Sequence, residues 1–195
     1  EQVALGVAHA RRVGELARPG GKEGAAVGHV VLTGGEPMLF AELIPLSESL
    51  RRGGYHITVE TAGTLSLPVA CDLMSISPKL SNSVPHENGA GAEQGRWGRR
   101  HEAGRLVPDV LRRLVAEYDY QVKLVVDRPA DLAEVERFLA ELPEIDRSRA
   151  MLMPQGTEVL ALRDKAAWIE PYCREHKLGF CPRRQIEWFG PRRGT

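Results

Sequence analysis

The sequence predicts an α/β protein built on a mostly parallel sheet, or an open (β/α) barrel, with helices outside. Three observations predict it. Strand-like and helix-like segments alternate along the chain, the pattern of repeated βα units. Strand-like runs pass directly into glycine and polar residues, as in "HVVLTGGEPMLF" and "ITVETAGTL". Parallel sheets gather their ligand-binding groups at such strand ends. Finally, 195 residues with 43% hydrophobic content are enough to bury one core, so residues 1–195 are expected to form a single domain.

Taken in order, residues 2–17 suit a helix, with Val3, Val7, Ala10 and Val13 at helical spacing. A Gly-rich link leads to a strand at 29–32. "MLFAELIPLSESLRRGG" reads as a helix closed by Gly53 and Gly54, with Pro45 a blemish within it. "YHITVETAGT" and "CDLMSISPK" each read as a strand with its exit loop. The stretch 86–107 is rich in Gly and Arg and lacks periodicity, so it is expected to be a mobile loop. "VPDVLRRLVAEY" is an amphipathic helix and "YQVKLVV" a β-rich strand. Asp131 and Glu134 form a capping-box-like pair ahead of the helix "LAEVERFLAEL". "AMLMP" is a short buried strand. The long helix "GTEVLALRDKAAWIEPYCREHKLG" should kink at Pro171, which removes a backbone donor. The ending "GFCPRRQIEWFGPRRGT" reads as a strand and a short ordered tail.

A formal net charge of zero gives no whole-chain electrostatic case for nucleic acid or anionic membrane. No apolar run is long enough for a transmembrane helix, and the start "EQVALGVAHARR" does not read as a signal peptide. Three scattered cysteines, Cys71, Cys173 and Cys181, argue against a disulfide framework and for a cytoplasmic setting. Phosphate-loop, dinucleotide, nucleophile-elbow and paired-histidine zinc motifs are all missing.

The strand ends carry what chemistry the sequence shows. Thr33-Gly34-Gly35-Glu36-Pro37, Glu60-Thr61-Ala62-Gly63-Thr64, Ser77-Pro78-Lys79 and Met153-Pro154-Gln155-Gly156-Thr157 each follow a strand, so all four are expected on one rim. Two glycines let a ligand approach the backbone. Glu36 could accept from an ammonium group, so the set suits a zwitterionic, amino-acid-like ligand. Singly, each motif has a bland reading as a turn or a solvated side chain. Their joint placement is the informative feature.

With those residues in view, "TGGEP" after a strand resembles the S-adenosylmethionine-binding motif of radical S-adenosylmethionine enzymes. "HVVLTGGEPML", "ITVETAGTL", "CDLMSISPKLSNSVP", "YQVKLVV", "MLMPQGT" and "FCPRRQIEWFGPRRGT", in that order from about residue 27 to 195, look like the 7-carboxy-7-deazaguanine synthase family. The resemblance implies an abridged (β/α) barrel that works as a homodimer, with a [4Fe–4S] cluster, S-adenosylmethionine, Mg²⁺ and an external reductase such as flavodoxin or ferredoxin. It implies conversion of 6-carboxy-5,6,7,8-tetrahydropterin to 7-carboxy-7-deazaguanine, with release of ammonia. Carried over by position, Gly34, Gly35 and Glu36, then Ser77, Pro78 and Lys79, then Met153, Pro154, Gln155 and Gly156 would hold S-adenosylmethionine. Thr33 and the terminal Thr195 would meet the pterin, and Glu60 the pterin or the cofactor.

The family's C-x₃-C-x₂-C cluster motif is not found, and neither is the threonine that binds Mg²⁺. The cluster cysteines and the magnesium ligand are therefore expected upstream of Glu1, and residues 1–17 are expected to be the helix that follows the cluster loop. The chain is expected to lack the front of the family's domain and, alone, to be inactive. Alternatives of other kinds are a glycyl-radical activase type of enzyme and a cluster-less protein that only binds S-adenosylmethionine or a pterin.

Overall fold

The computed structural model describes residues 28–83 and 104–190. Glu1 and the expected helix over 2–17, residues 86–103 of the Gly/Arg-rich stretch and Thr195 lie outside the described residues. The expectation that cluster and magnesium ligands precede Glu1 therefore falls outside them too. Among the described residues, six strands form one sheet whose spatial order is the chain order: β1 (His29–Leu32), β2 (His56–Thr61), β3 (Leu73–Ile76), β4 (Tyr120–Val126), β5 (Ala150–Pro154) and β6 (Gly179–Phe180). Every neighbouring pair is parallel. All strand C-termini therefore emerge at one edge, as the alternating pattern predicts.

Side chains alternate between the faces of a strand, and the sequence uses that alternation consistently. Ile57, Val59, Met74, Ile76, Val122, Leu124 and Leu152 are completely buried. They pack with the buried stripes of four helices: α1 (Leu43–Arg52), α2 (Pro108–Glu117), α3 (Leu132–Glu141) and α4 (Val159–Glu175). The opposite face carries His29, Thr58, Glu60, Ser75, Gln121 and Lys123. Its groups satisfy one another, with His29 Nε2 2.8 Å from Thr58 Oγ1 and Gln121 Nε2 donating to Ser75 Oγ at 3.0 Å. One face is thus core, and the other carries these polar groups among Val31, Leu73, Val125, Met151 and Met153.

Several elements differ from expectation for local reasons. The helix expected from Met38 is a 3₁₀ turn, Pro37–Leu39, followed by α1 from Leu43. Pro45 then sits in the first turn of α1, where its missing N–H would have had no partner. The Asp131–Glu134 capping box does not form. Asp131 turns back and accepts from the Asp127 and Arg128 amides and from Asn82 Nδ2, while Glu134 bonds Ser81. α4 continues as one helix through Pro171, the residue expected to kink it. The tail contains a helix the sequence reading missed, α5 (Arg184–Phe189).

Away from the rim, Glu136 on α3 receives both terminal nitrogens of Arg147, at 2.8 and 3.0 Å, and the Tyr172 hydroxyl at 2.7 Å. The Arg147 bonds hold its carboxyl down to about 2, against an ordinary 4.5. A folded-state value below the unfolded one means that this stabilisation is full above about pH 4.5 and is lost as pH falls toward 2. Glu136→Gln should therefore flatten the fall in the urea midpoint between pH 5 and 3 relative to the parent chain. An unchanged acid slope would show that the pair contributes nothing to folding.

Candidate active site

The loop after β1 opens the rim. Gly34 has φ +110 and Gly35 φ +55, conformations that side chains rarely adopt. A Cβ at either position would meet nothing within 4 Å. These glycines are therefore needed for backbone shape, not for packing room, and the space they face is open. A ligand can approach the main chain there.

Glu36 fixes this loop. Its carboxylate accepts from the Met38 amide at 3.2 Å, from Thr61 Oγ1 at 2.8 Å and from the Ala62 amide at 2.8 Å. The group expected to receive a ligand's ammonium is instead engaged by the end of β2. Its place in the structure is that of a brace, locking the Gly-Gly turn against the neighbouring strand. Thr61, in turn, accepts from the Gly63 amide at 3.0 Å.

Glu60 and Thr33 meet on the polar side of the same rim. Thr33 Oγ1 donates to Glu60 Oε2 at 3.2 Å, and Lys123 Nζ on β4 donates to Glu60 Oε1 at 2.7 Å. Burial alone would raise the Glu60 carboxyl, but the Lys123 bond and charge and the Thr33 hydroxyl outweigh it, so it lies below its ordinary value. Lys123 was not singled out from the sequence. The available signal was a lysine between the buried Val122 and Leu124 of a β-rich strand, where an unpaired charge would be costly.

The segment after β3 is held from behind. Pro78 is buried, Ser77 half-buried, and the Lys79 side chain is exposed, with the Lys79 carbonyl accepting from Arg105 at 2.9 Å. Ser81 bonds Glu134 through both its amide and its hydroxyl, and Asn82 Nδ2 reaches the Val125 carbonyl at 2.9 Å and Asp131 at 2.8 Å. The "LSNS" that follows Ser-Pro-Lys is therefore the bolt that sets where Lys79 stands. After β5, Lys165 donates to the Gln155 carbonyl at 2.7 Å, and Arg183 to the Gly156 carbonyl at 2.8 Å. Two cations thus shape the turn of Met153, Pro154, Gln155 and Gly156.

The cysteines do not assemble. Cys173 is in the core between α4 and the sheet, where burial pushes its thiol up to about 11. Cys71 donates to the Ile57 carbonyl, and Cys181 follows β6. Among the described residues no group of three or more His, Cys, Asp or Glu could hold a metal ion. The residues present do not fit an iron–sulfur cluster, which needs convergent thiolates. The open Gly-Gly turn does fit an amino-acid-bearing cofactor.

An open, all-parallel sheet with its polar motifs at one rim makes this an α/β protein, and its fold is that of QueE from Escherichia coli. That crystal structure matches at a TM-score of 0.54 with 24% identity, over 91% of this chain and 61% of that chain. Over most of its length the chain is similar in sequence to 7-carboxy-7-deazaguanine synthases. It is 40% identical over 172 residues to the 7-carboxy-7-deazaguanine synthase of Rhodopirellula baltica, and 38% identical over 163 residues to that of Halobacterium salinarum. These matches cover 88% and 81% of this chain. The chain spans 65% and 63% of the length of those two relatives. No family model matches it.

Proposed function

We propose that the protein is a 7-carboxy-7-deazaguanine synthase, a radical S-adenosylmethionine carbon–nitrogen lyase that contracts the ring of 6-carboxy-5,6,7,8-tetrahydropterin and releases ammonia. The observation that carries this reading is the convergence, on one rim of a parallel sheet, of the motifs that resemble that family's, in a chain 40% identical to one synthase over 172 residues. S-adenosylmethionine, when bound and reduced, supplies the 5′-deoxyadenosyl radical that begins the chemistry. This chain's own residues bind and orient. The Gly34-Gly35 turn receives the amino-acid end, with Glu36 as its brace. Ser77, Pro78 and Lys79 lie along the ribose and carboxylate, and the turn from Met153 to Gly156 along the remainder of the cofactor. Thr33 and Glu60 face the pterin, which Thr195 would cover. The [4Fe–4S] cluster and Mg²⁺ need ligands that the described residues do not provide. In this reading those ligands stand ahead of Glu1 in the full-length protein. Homodimer assembly, a flavodoxin or ferredoxin donor and a cytoplasmic setting belong to the same proposal.

The test is anaerobic reconstitution of the full-length protein with iron, sulfide, a reductant, S-adenosylmethionine and 6-carboxytetrahydropterin. Formation of 7-carboxy-7-deazaguanine is expected. Formation of 5′-deoxyadenosine without that product would sink the assignment and favour a different radical enzyme. The 195-residue chain by itself is expected to take up no four-iron cluster. Lys79→Ala in the full-length protein should weaken S-adenosylmethionine binding about tenfold, the loss of one hydrogen bond to a charged group. Equal affinity by calorimetry would remove Lys79 from the site.

A further inference from the structure

Lys123 makes an unusual reach. It stands on β4, and Glu60 on β2, with β3 between them. In the register, Glu60 lies beside Ser75, and Ser75 beside Gln121. The lysine must therefore cross about two strand spacings of ~4.8 Å each, running diagonally over the sheet. It can do so because β3 presents only the small, completely buried Ser75 there, whose hydroxyl is engaged by Gln121. A larger residue at Ser75 would stand in the path of the lysine stem.

The result is an asymmetric pair. The Lys123 side chain is 13% exposed, whereas Glu60 keeps 39%, directed to the rim. One carboxylate oxygen takes Lys123 and the other Thr33, which fixes the plane of the group from two sides. A carboxylate has about four acceptor positions, so each oxygen keeps capacity toward the open side. Cys181, just after β6, senses Lys123, Arg183 and Glu60.

We infer that Lys123 is a positioning residue that holds Glu60 as a fixed, ionised acceptor for a ligand edge presenting adjacent N–H donors, such as the aminopyrimidinone edge of a pterin. This deepens, and rests on, the function proposed above. Lys123 touches no ligand itself. It sets the charge and the direction of the group that does.

The test separates the pairing from the ligand. Titration of the Glu60 carboxyl carbon by NMR, in the ligand-free 195-residue chain, should give a midpoint below the ordinary 4.5. Lys123→Met should lift it above that value, because burial then acts with only Thr33 opposing it, and Lys123→Arg should keep it low. Equal midpoints in the parent and Lys123→Met would overturn the inference whatever the ligand. Calorimetry with 6-carboxypterin, in the full-length protein, should show about tenfold weaker binding for Lys123→Met. That loss should deepen as pH falls toward 5, while Lys123→Arg keeps the parent affinity. A merely structural lysine would lower the melting temperature without moving either the Glu60 midpoint or the pH profile, and that pattern too would overturn the inference. A Glu60 midpoint that responds to Lys123 in a protein that binds no pterin would support the pairing and count against the proposed function.

Discussion

Gly63→Ala is expected to destabilise the protein by about 2–4 kcal/mol, combining left-handed backbone strain with overpacking. Gly63 has φ +75, and a Cβ there would lie 2.5 Å from Leu111 Cδ2 and 2.8 Å from Ile76 Cγ2. Leu111 is the point where α2 presses on the sheet, and both contacted residues are buried to within 1%. Neither methyl can move aside without disturbing the core. The check is a denaturant midpoint for Gly63→Ala beside one for the double variant Gly63→Ala, Leu111→Ala. The second substitution makes room for the new methyl, so the two costs should be clearly less than additive. Additive costs would mean that the loss comes from backbone strain alone.

Glu36→Ala is expected to cost about 2 kcal/mol of stability and to weaken S-adenosylmethionine binding far more than that loss explains. Three hydrogen bonds join the β1 loop to β2 and to its own turn through this carboxylate, and its removal leaves the buried Thr61 hydroxyl without that acceptor. Glu36→Gln should lie between the two, because an amide can replace only one of the two accepting oxygens. Denaturation and calorimetry on the same preparations separate the effects. Parent-like cofactor affinity in a stable Glu36→Ala variant would show that the Gly-Gly turn holds its shape without a brace.

Much of the architecture could be read directly because its signals are local. Alternation in "ITVET" and "YQVKLVV" places Ile57, Val59, Val122 and Leu124 on one face with no knowledge of their partners. Strand-end position likewise places Gly34, Glu60, Ser77 and Gln155 on one rim, since all six strands run parallel. What escaped was set by partners distant in sequence. The engagement of Glu36 by the end of β2, 25 and 26 residues away, has no local signal in the sequence. Lys123 and Glu60 lie 63 residues apart. Asp131 and Glu134 have the spacing of a helix cap, yet Asn82 and Ser81 claim them from 49 and 53 residues upstream. α5 is six residues long, too short for a periodic pattern to declare itself.

The identity of spatial and chain order in the sheet bears on how the protein reaches its native state. Among the described residues each strand pairs only with its sequence neighbours, so none of these strands must wait for a distant segment to be threaded between two others. Loop-closure entropy is met in modest, successive steps, and assembly can proceed from one end by addition of units. The motifs proposed to hold the ligands, however, are spread over the ends of β1, β2, β3 and β5, and Lys123 arrives with β4. A nascent chain therefore gains its fold gradually but its binding competence late, when the fifth strand docks. Until then it presents a growing sheet without a usable site.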